Sequence, residues 1–166
     1  GKSGLYMGSE VHLVYSVYAS SSEVLPNPPN TAWYKKAKIV HWSPSTGIDT
    51  VAGRYNMPLL TDTLTHALVT PLCHPSIGFY NGYMYVTFTA FLRGNKQTVD
   101  DGSFVNAGEI FLTRSSDNGN TWSTPVNITN TPNIEEKHSS TVRSFTLASG
   151  DSVGIYYLRD MKAGGF

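Results

Sequence analysis

The sequence predicts an all-β fold, and three observations lead to that prediction. Aromatic residues make up 12% of the 166 residues, with 10 tyrosines, as in β proteins rich in turns. Alternating apolar and polar side chains flank a cluster of turn residues in Glu109–Arg114 and Pro125–Thr129. Asn81-Gly82, between two aromatic-rich runs, is a strong signal for a tight hairpin turn.

The first part of the chain is predicted to form one antiparallel meander. It opens with a hairpin turning at Gly8-Ser9, whose second strand is apolar or aromatic at nearly every position, as in strands covered on both faces. A segment with three prolines and three serines follows, and it is predicted to be a loop because proline removes a backbone donor and fixes φ. The predicted segments in order are the strand Val11–Tyr18, the loop Ala19–Thr31, a strand at Trp33–Trp42, a turn at Ser43–Thr50 and a fourth strand within Leu64–Val69.

The second part of the chain repeats this order. Gly78–Phe91 and Ser144–Asp160 are predicted hairpins that match the opening one. Two further turns, starting at Ser43 and Ser115, lie 72 positions apart, and this spacing predicts a repeat. Three hairpins of the first kind therefore alternate along the chain with two hairpins that contain these further turns.

The turn that starts at Ser115 has the pattern Ser-x-Asp-x-Gly-x-x-Trp. Asp117 and Asn118 can bond nearby backbone N–H groups, and Gly119 accepts positive φ without steric cost. The Ser115 hydroxyl can join these bonds, and the ring of Trp122 can cover them. We therefore predict a self-contained, stapled turn.

This pattern resembles the Asp-box of the sialidase-like β-propellers, and Glu109–Thr129 resembles a whole outer hairpin of one of their blades. The resemblance implies a structural role for Ser115, Asp117, Gly119 and Trp122. In that family the box lies on the turn between the third and fourth strands of a blade, at the perimeter and away from the site.

The resemblance also implies a partial β-propeller of four-stranded antiparallel blades, in one domain covering residues 1–166. Blade 1 would span about residues 1–72, blade 2 about 73–134 and the start of blade 3 about 135–166. A six-bladed propeller with roughly 70 residues per blade needs about 420 residues, so the chain holds about two and a half blades. We expect a fragment whose ring is closed by the remaining blades of a longer chain or by other copies, because an open arc exposes blade faces.

Charge and composition exclude several classes of function. The formal net charge is zero, which argues against a nucleic-acid interface, and no apolar run approaches the roughly 18 residues of a membrane span. The single cysteine, Cys73, rules out an internal disulfide, leaves no cysteine cluster for a metal and is expected to be buried. Because no phosphate loop or His-x-x-x-His motif is present, no cofactor is predicted.

Candidate site residues lie on the connections at one end of the predicted blades. That end carries two long segments, Ala19–Thr31 and Leu92–Ala107, and loops of this kind often carry function. His74 and His138 occupy matching positions just before the first strands of blades 2 and 3. They are either a repeated structural feature or an acid/base pair near the central axis.

Charged residues at the same end give further candidates. Asp100 and Asp101 could supply a carboxylate to a substrate or a cation, although Asp-Asp-Gly is also ordinary turn chemistry. Glu135-Glu136-Lys137 is predicted to be a solvated loop. Arg159 and Asp160 fall where the second strand of blade 3 ends, and they are binding candidates because the planar fork of arginine fits a sugar carboxylate.

Arg143, early in the first strand of blade 3, is the third candidate for catalysis. Sialidases are known for three arginines that grip the sialic acid carboxylate, a tyrosine nucleophile paired with a glutamate, and an aspartic acid. The stretch Phe-Arg-Ile-Pro, which usually carries the first of these arginines, is absent from the chain. Activity is therefore neither supported nor excluded by the residues present.

Three functional hypotheses follow from the resemblance. The first is a secreted or surface glycan-active protein, a sialidase-like glycoside hydrolase or a relative that acts on glycoconjugates. The second is a non-catalytic propeller that binds a glycan or a protein through its long-loop rim. The third is a structural repeat of a larger surface protein.

Overall fold

The computed structural model describes residues 1–18, 36–61, 70–141 and 152–161, and within these ranges the chain is all-β, without a helix. This confirms the prediction that the chain is all-β. The strands in order are β1 (Lys2–Met7), β2 (Glu10–Val17), β3 (Lys38–Ser43), β4 (Gly47–Ala52), β5 (Leu72–Tyr80), β6 (Tyr83–Thr98), β7 (Phe104–Ser115), β8 (Val126–Asn127), β9 (Glu135–Thr141) and β10 (Ile155–Asp160).

Within each sheet, every strand pairs antiparallel with its neighbour in sequence. Strands β1 to β4 form a first four-stranded sheet, β5 to β8 form a second one, and β9 pairs with β10. The predicted four-stranded antiparallel meanders are therefore present. The turn between β5 and β6 is tight because Asn81 and Gly82 both take positive φ, 48° and 80°, as two-residue hairpin turns require.

The first sheet corrects one prediction. Its fourth strand is β4, which begins at Gly47, whereas the sequence placed the fourth strand within Leu64–Val69, a segment that lies outside the described residues. The physical reason is the turn after β3, which closes within a few residues. The backbone N–H of Thr46 donates to the Ser43 hydroxyl at 3.2 Å, and Gly47 takes a φ of 70°.

The second sheet corrects another prediction. The segment Leu92–Ala107 is not a long loop, because β6 continues to Thr98 and β7 starts at Phe104. The two strands extend beyond the rest of their sheet as a hairpin, and their pairing is interrupted by a bulge between Phe91 and Lys96. The other predicted rim segment, Ala19–Thr31, lies outside the described residues.

The first two sheets pack on a shared apolar core. Buried side chains from both sheets belong to one hydrophobic cluster, including Val14, Ile39, Ile77, Val86 and Phe88. Each of these is at most 2% exposed, and burial of this kind stabilises a fold by roughly 25 cal/mol per Å² of apolar surface.

Strand β9 packs against the second sheet through polar side chains. The hydroxyls of Thr87 and Thr141 lie 2.9 Å apart, and the Thr141 N–H donates to the Ser76 hydroxyl at 2.9 Å. A similar bond joins the first two sheets, where the Ile77 N–H donates to the Ser3 hydroxyl at 3.4 Å. The first strands of successive sheets are thus linked by the same kind of serine contact.

Candidate functional site

A cluster of polar side chains, most of them buried or half-buried, lies where β9 meets the extended β6–β7 hairpin. We call it the rim cluster, and its members are Asn95, Gln97, Glu109, Asn127, Glu135, Glu136, Lys137 and Arg159. Glu135, Glu136 and Lys137 are 3%, 0% and 8% exposed within strand β9. The prediction that they form a solvated loop is therefore wrong.

Hydrogen bonds fix the start of β9 to the hairpin and to β10. The side chain of Gln97 accepts from the Glu135 N–H at 3.1 Å and donates to the Asp160 carbonyl at 3.1 Å. The Lys137 ammonium lies 3.2 Å from the Glu135 carboxylate and forms an ion pair with it. The buried charges of Glu135 and Lys137 therefore compensate each other, as burial demands.

Glu109 on β7 is held in a second part of the rim cluster. Its carboxylate accepts hydrogen bonds from the side-chain amides of Asn95, at 3.3 Å, and Asn127. Asn95 also accepts from the backbone N–H of Asn133, at 2.8 Å, and so connects Glu109 to the segment that enters β9.

Glu136 and Arg159 form the edge of the rim cluster at which a charged side chain, Arg159, reaches solvent. They are directly paired across β9 and β10, and Arg159 Nε lies 3.6 Å from Glu136 Oε1. The Glu136 side chain is fully buried, and neither of its oxygens has a hydrogen-bond partner within the described ranges, whereas the Arg159 side chain is 44% exposed. Glu136 thus contacts Arg159 on its buried side, while part of the Arg159 side chain faces solvent.

His74 and His138 are brought together in the structure. Their ring centroids lie 3.9 Å apart, and both residues take positive φ, 50° and 56°, where strands β5 and β9 deviate from regular pairing. The sulfur of Cys73, which is buried as expected, lies 3.3 Å from Nδ1 of His74. Burial, and then the nearby His138, lower the pKa of His74 to about 4, so its imidazole is neutral near pH 7.

The remaining candidates occupy different places. Asp100 and Asp101 lie at the tip of the β6–β7 hairpin, where the Asp101 carboxylate accepts from the Ser103 N–H at 2.9 Å and its pKa is lowered by bonds from Ser103. This is the turn chemistry that the sequence allowed. Asp160 ends β10 beside Gln97, and Arg143 lies outside the described residues.

The turn after β7 has the hydrogen bonds predicted for a stapled turn. The Ser115 hydroxyl accepts from the Gly119 N–H at 2.8 Å and donates to the Asp117 carboxylate at 2.7 Å. That carboxylate also accepts from the backbone N–H and the hydroxyl of Thr121, at 2.9 and 2.6 Å, and these bonds lower the pKa of Asp117. The indole N–H of Trp122 donates to the Gly119 carbonyl at 3.1 Å.

The stapled turn lies against a pair of histidines that belong to the first sheet. His12 and His41 are fully buried, and His12 Nδ1 lies 3.0 Å from His41 Nε2. The ring of Trp122 packs edge-on against His41 at a centroid distance of 5.5 Å. A Cβ placed on Gly119 would overlap the His41 ring, lying 2.6 Å from its Nδ1, so a glycine is required at this point of the turn.

The proton positions in the histidine pair follow from Glu10. Its carboxylate lies 3.9 Å from His12 Nε2, which favours the tautomer with a proton on that nitrogen. His12 Nδ1 then accepts from His41 Nε2–H, and His41 Nδ1 is left as a buried acceptor that has no hydrogen-bond partner among the residues the structure describes. Burial, and then the charge that His12 would carry, lower the pKa of His41 to about 4, so both rings are neutral near pH 7.

Sequence reasoning missed the roles of Glu136 and His41. His41 follows two apolar residues in a strand, and a histidine in such a run can signal a buried position. Glu136 carries no such signal, because two glutamates and a lysine in succession are typical of a solvated segment.

Neither a metal site nor a membrane-spanning helix is found in the described part of the chain. No three His, Cys, Asp or Glu side chains there are arranged to hold a metal ion, and no helix there is long and apolar enough to cross a membrane. Comparisons with protein-family models, with curated proteins and with solved structures found no match.

Proposed function

We propose that this chain forms part of a sialidase-like β-propeller, with about two and a half blades in residues 1–166. Two consecutive four-stranded meanders support this proposal, as does a third hairpin that follows in the same order. The serine contacts support it too, since Ser3 lies opposite Val14 and Ser76 opposite Thr87 at equivalent positions of their hairpins. The remaining blades would come from a longer chain or from other copies.

The oligomeric state of the isolated chain in solution tests the proposed open arc of blades. An arc of blades leaves a sheet face uncovered, so the isolated chain is expected to self-associate or to melt without cooperativity. Light scattering combined with a thermal melt measures both properties. A stable monomer with a single cooperative transition would contradict the open-arc proposal.

We also propose that the protein is secreted or displayed at a surface and acts on glycans at the rim cluster, as a sialidase-like glycoside hydrolase or a relative. The observation that carries this proposal is the arrangement of Arg159. Glu136 engages it through Nε, which leaves the two terminal nitrogens of the guanidinium to receive a sugar carboxylate in a bidentate manner. His74 and His138, at the start of the neighbouring first strands, would then be candidates for proton transfer.

A second candidate function is glycan binding without catalysis. Two carboxylates of the rim cluster are already occupied, Glu109 by two side-chain amides and Glu135 by Lys137. Glycoside hydrolysis normally needs two groups, an acid that protonates the leaving group and a free carboxylate or equivalent nucleophile beside it. The engagement of these groups favours a binding site over a catalytic one.

Two assays on the full-length protein separate these functions. Hydrolysis of a fluorogenic sialoside would favour the hydrolase, and binding to a glycan array without turnover would favour the second function. The Arg159→Gln variant is expected to weaken either activity by roughly ten-fold or more, because hydrogen bonds to charged groups contribute about 1.5–3 kcal/mol. Lys96→Gln, which removes an exposed charge from the β6–β7 hairpin, is the matched control.

Two outcomes would count against the proposal. Absence of both turnover and glycan binding would refute a glycan site at the rim and leave the structural repeat as the better account. An active protein unaffected by Arg143→Ala would remove Arg143 from the candidate residues.

A further inference from the structure

A groove lies at the end of the second sheet opposite the β6–β7 hairpin tip. It has a volume of about 320 Å³ and is lined by Tyr83, Arg114, Ser116, Thr121, Trp122 and Ser123. Tyr83 directly follows the tight turn between β5 and β6, and the other residues come from the end of β7 and the stapled turn. The groove is therefore built on two ordered turns, far along the strands from the rim cluster.

Arg114 is the charged side chain of this groove. Its guanidinium carbon lies 4.9 Å from the centroid of the Tyr83 ring, in a cation–π contact that fixes the position of the group. Among the described residues the guanidinium has neither a carboxylate partner nor a side-chain hydrogen bond, and the residue is exposed. Stacking on a ring leaves the N–H donors at the edge of the guanidinium plane available to a ligand.

The carboxylate of the stapled turn, Asp117, forms no ion pair with Arg114 among the described residues. Both oxygens of Asp117 accept hydrogen bonds from within the turn, from the Ser115 hydroxyl and from the N–H and hydroxyl of Thr121. The exposed hydroxyl of Ser116, in contrast, makes no hydrogen bond with the described residues. The groove therefore offers a fixed cation, a free hydroxyl and the side of the Trp122 ring.

We propose that this groove binds a sugar that carries a carboxylate, such as a uronic acid. Arg114 receives the carboxylate through two parallel N–H bonds, and Trp122 contacts the C–H face of the pyranose ring. A volume of about 320 Å³ is at the lower end of the range for ligand sites, which suits a single sugar unit. The groove is separate from the rim cluster, so this proposal does not depend on the function proposed for the rim cluster.

Saturation-transfer NMR and calorimetry on the whole chain test the proposal, with galacturonic acid, galactose and acetate as probes. Galacturonic acid is expected to bind, and galactose and acetate to bind at least roughly ten-fold more weakly, because each lacks one of the two contacts. Equal binding of acetate and galacturonic acid would overturn the proposal, since it would show the attraction of a simple anion only. Equal binding of galactose, or binding of none of the probes, would overturn it as well.

Variants assign the binding to the groove. Arg114→Gln is expected to weaken galacturonic acid binding roughly ten-fold or more, and Arg114→Lys to restore it only in part, since lysine keeps the charge but loses the fork. Tyr83→Leu should also weaken binding, because it removes the stacking that holds the guanidinium. Lys96→Gln is the charge control, and thermal melts check that each variant is folded. Unchanged affinity in Arg114→Gln would overturn the assignment.

Discussion

Replacing Gly119 with alanine tests the contact between the stapled turn and the first sheet. Gly119 takes a φ of 89°, and the left-handed region costs an alanine roughly 1–2 kcal/mol. The added Cβ would also lie 2.6 Å from Nδ1 of the buried His41, and overpacking of this kind costs about 1–3 kcal/mol more. The expected loss in the free energy of unfolding is therefore about 2–5 kcal/mol.

Gly82 provides a matched control for backbone strain. It takes a φ of 80° in the turn between β5 and β6, but a Cβ there would meet nothing within 4 Å. Gly82→Ala should therefore cost only the roughly 1–2 kcal/mol of backbone strain. The difference between the two variants isolates the contact with His41.

Urea denaturation at neutral pH measures these losses, and a double-mutant cycle completes the test. In a His41→Ala background the ring is gone, so Gly119→Ala should cost no more than Gly82→Ala does. An equal cost for the two glycine variants in the native background would refute the reasoning. So would a cost of Gly119→Ala that is unchanged when His41 is removed.

Three further predictions concern hydrogen bonds and pH. Ser115→Ala should lower the free energy of unfolding by about 1–3 kcal/mol, because it leaves the buried N–H of Gly119 unpaired. The control variant Ser116→Ala, at the exposed neighbour, should change it by less than about 0.5 kcal/mol, and equal urea midpoints for the two variants would contradict this prediction. Ser76→Ala should cost about 1–3 kcal/mol by freeing the buried Thr141 N–H, and faster amide exchange of Thr141 should accompany the loss. Protonation of His41 should lower the stability by up to about 3 kcal/mol as the pH drops from about 6.5 towards 4, because its pKa is lowered to about 4 in the folded state and the unfolded chain binds the proton first; His74, whose pKa is also lowered to about 4, adds to this fall. Urea titrations at a series of pH values check this, and an unchanged pH dependence in His41→Leu would exclude His41 as the cause.

The parts of the fold that depend on local chemistry could be predicted from the sequence. The hairpin at Asn81-Gly82 and the stapled turn are set by residues close in sequence, so their patterns identify them directly. The fourth strand of the first sheet was misplaced because its position depends on how tightly the turn after Ser43 closes. The β6–β7 hairpin was missed for a related reason, since Asn95 and its polar neighbours suggest a loop, and it is their side-chain bonds to distant residues that order them.

The rim cluster could be predicted only in part. Matching positions in the repeat were enough to single out His74 and His138, which the structure brings into contact. The burial of Glu136 depends instead on Gly108 in the neighbouring sheet. A Cβ on that glycine would lie 3.0 Å from the Glu136 carbonyl and 2.7 Å from a methyl group of Thr89, so the lack of a side chain lets β9 approach β7 closely. Such an approach between distant segments leaves no periodic signal in the sequence.

The turn that starts at Ser43 keeps the serine and the glycine of the stapled turn but lacks its aspartate and tryptophan, and the first sheet compensates for the missing aspartate. Ser45 stands where the second copy has Asp117, so the turn has no carboxylate of its own. Glu10, at the start of β2, supplies one from the adjacent strand, because its side chain accepts from the Ser45 N–H at 2.8 Å. Bonds from Ser45 lower the pKa of Glu10, as those from Thr121 do for Asp117. A carboxylate that accepts backbone N–H groups is therefore common to both turns, although the two sequences place it on different strands.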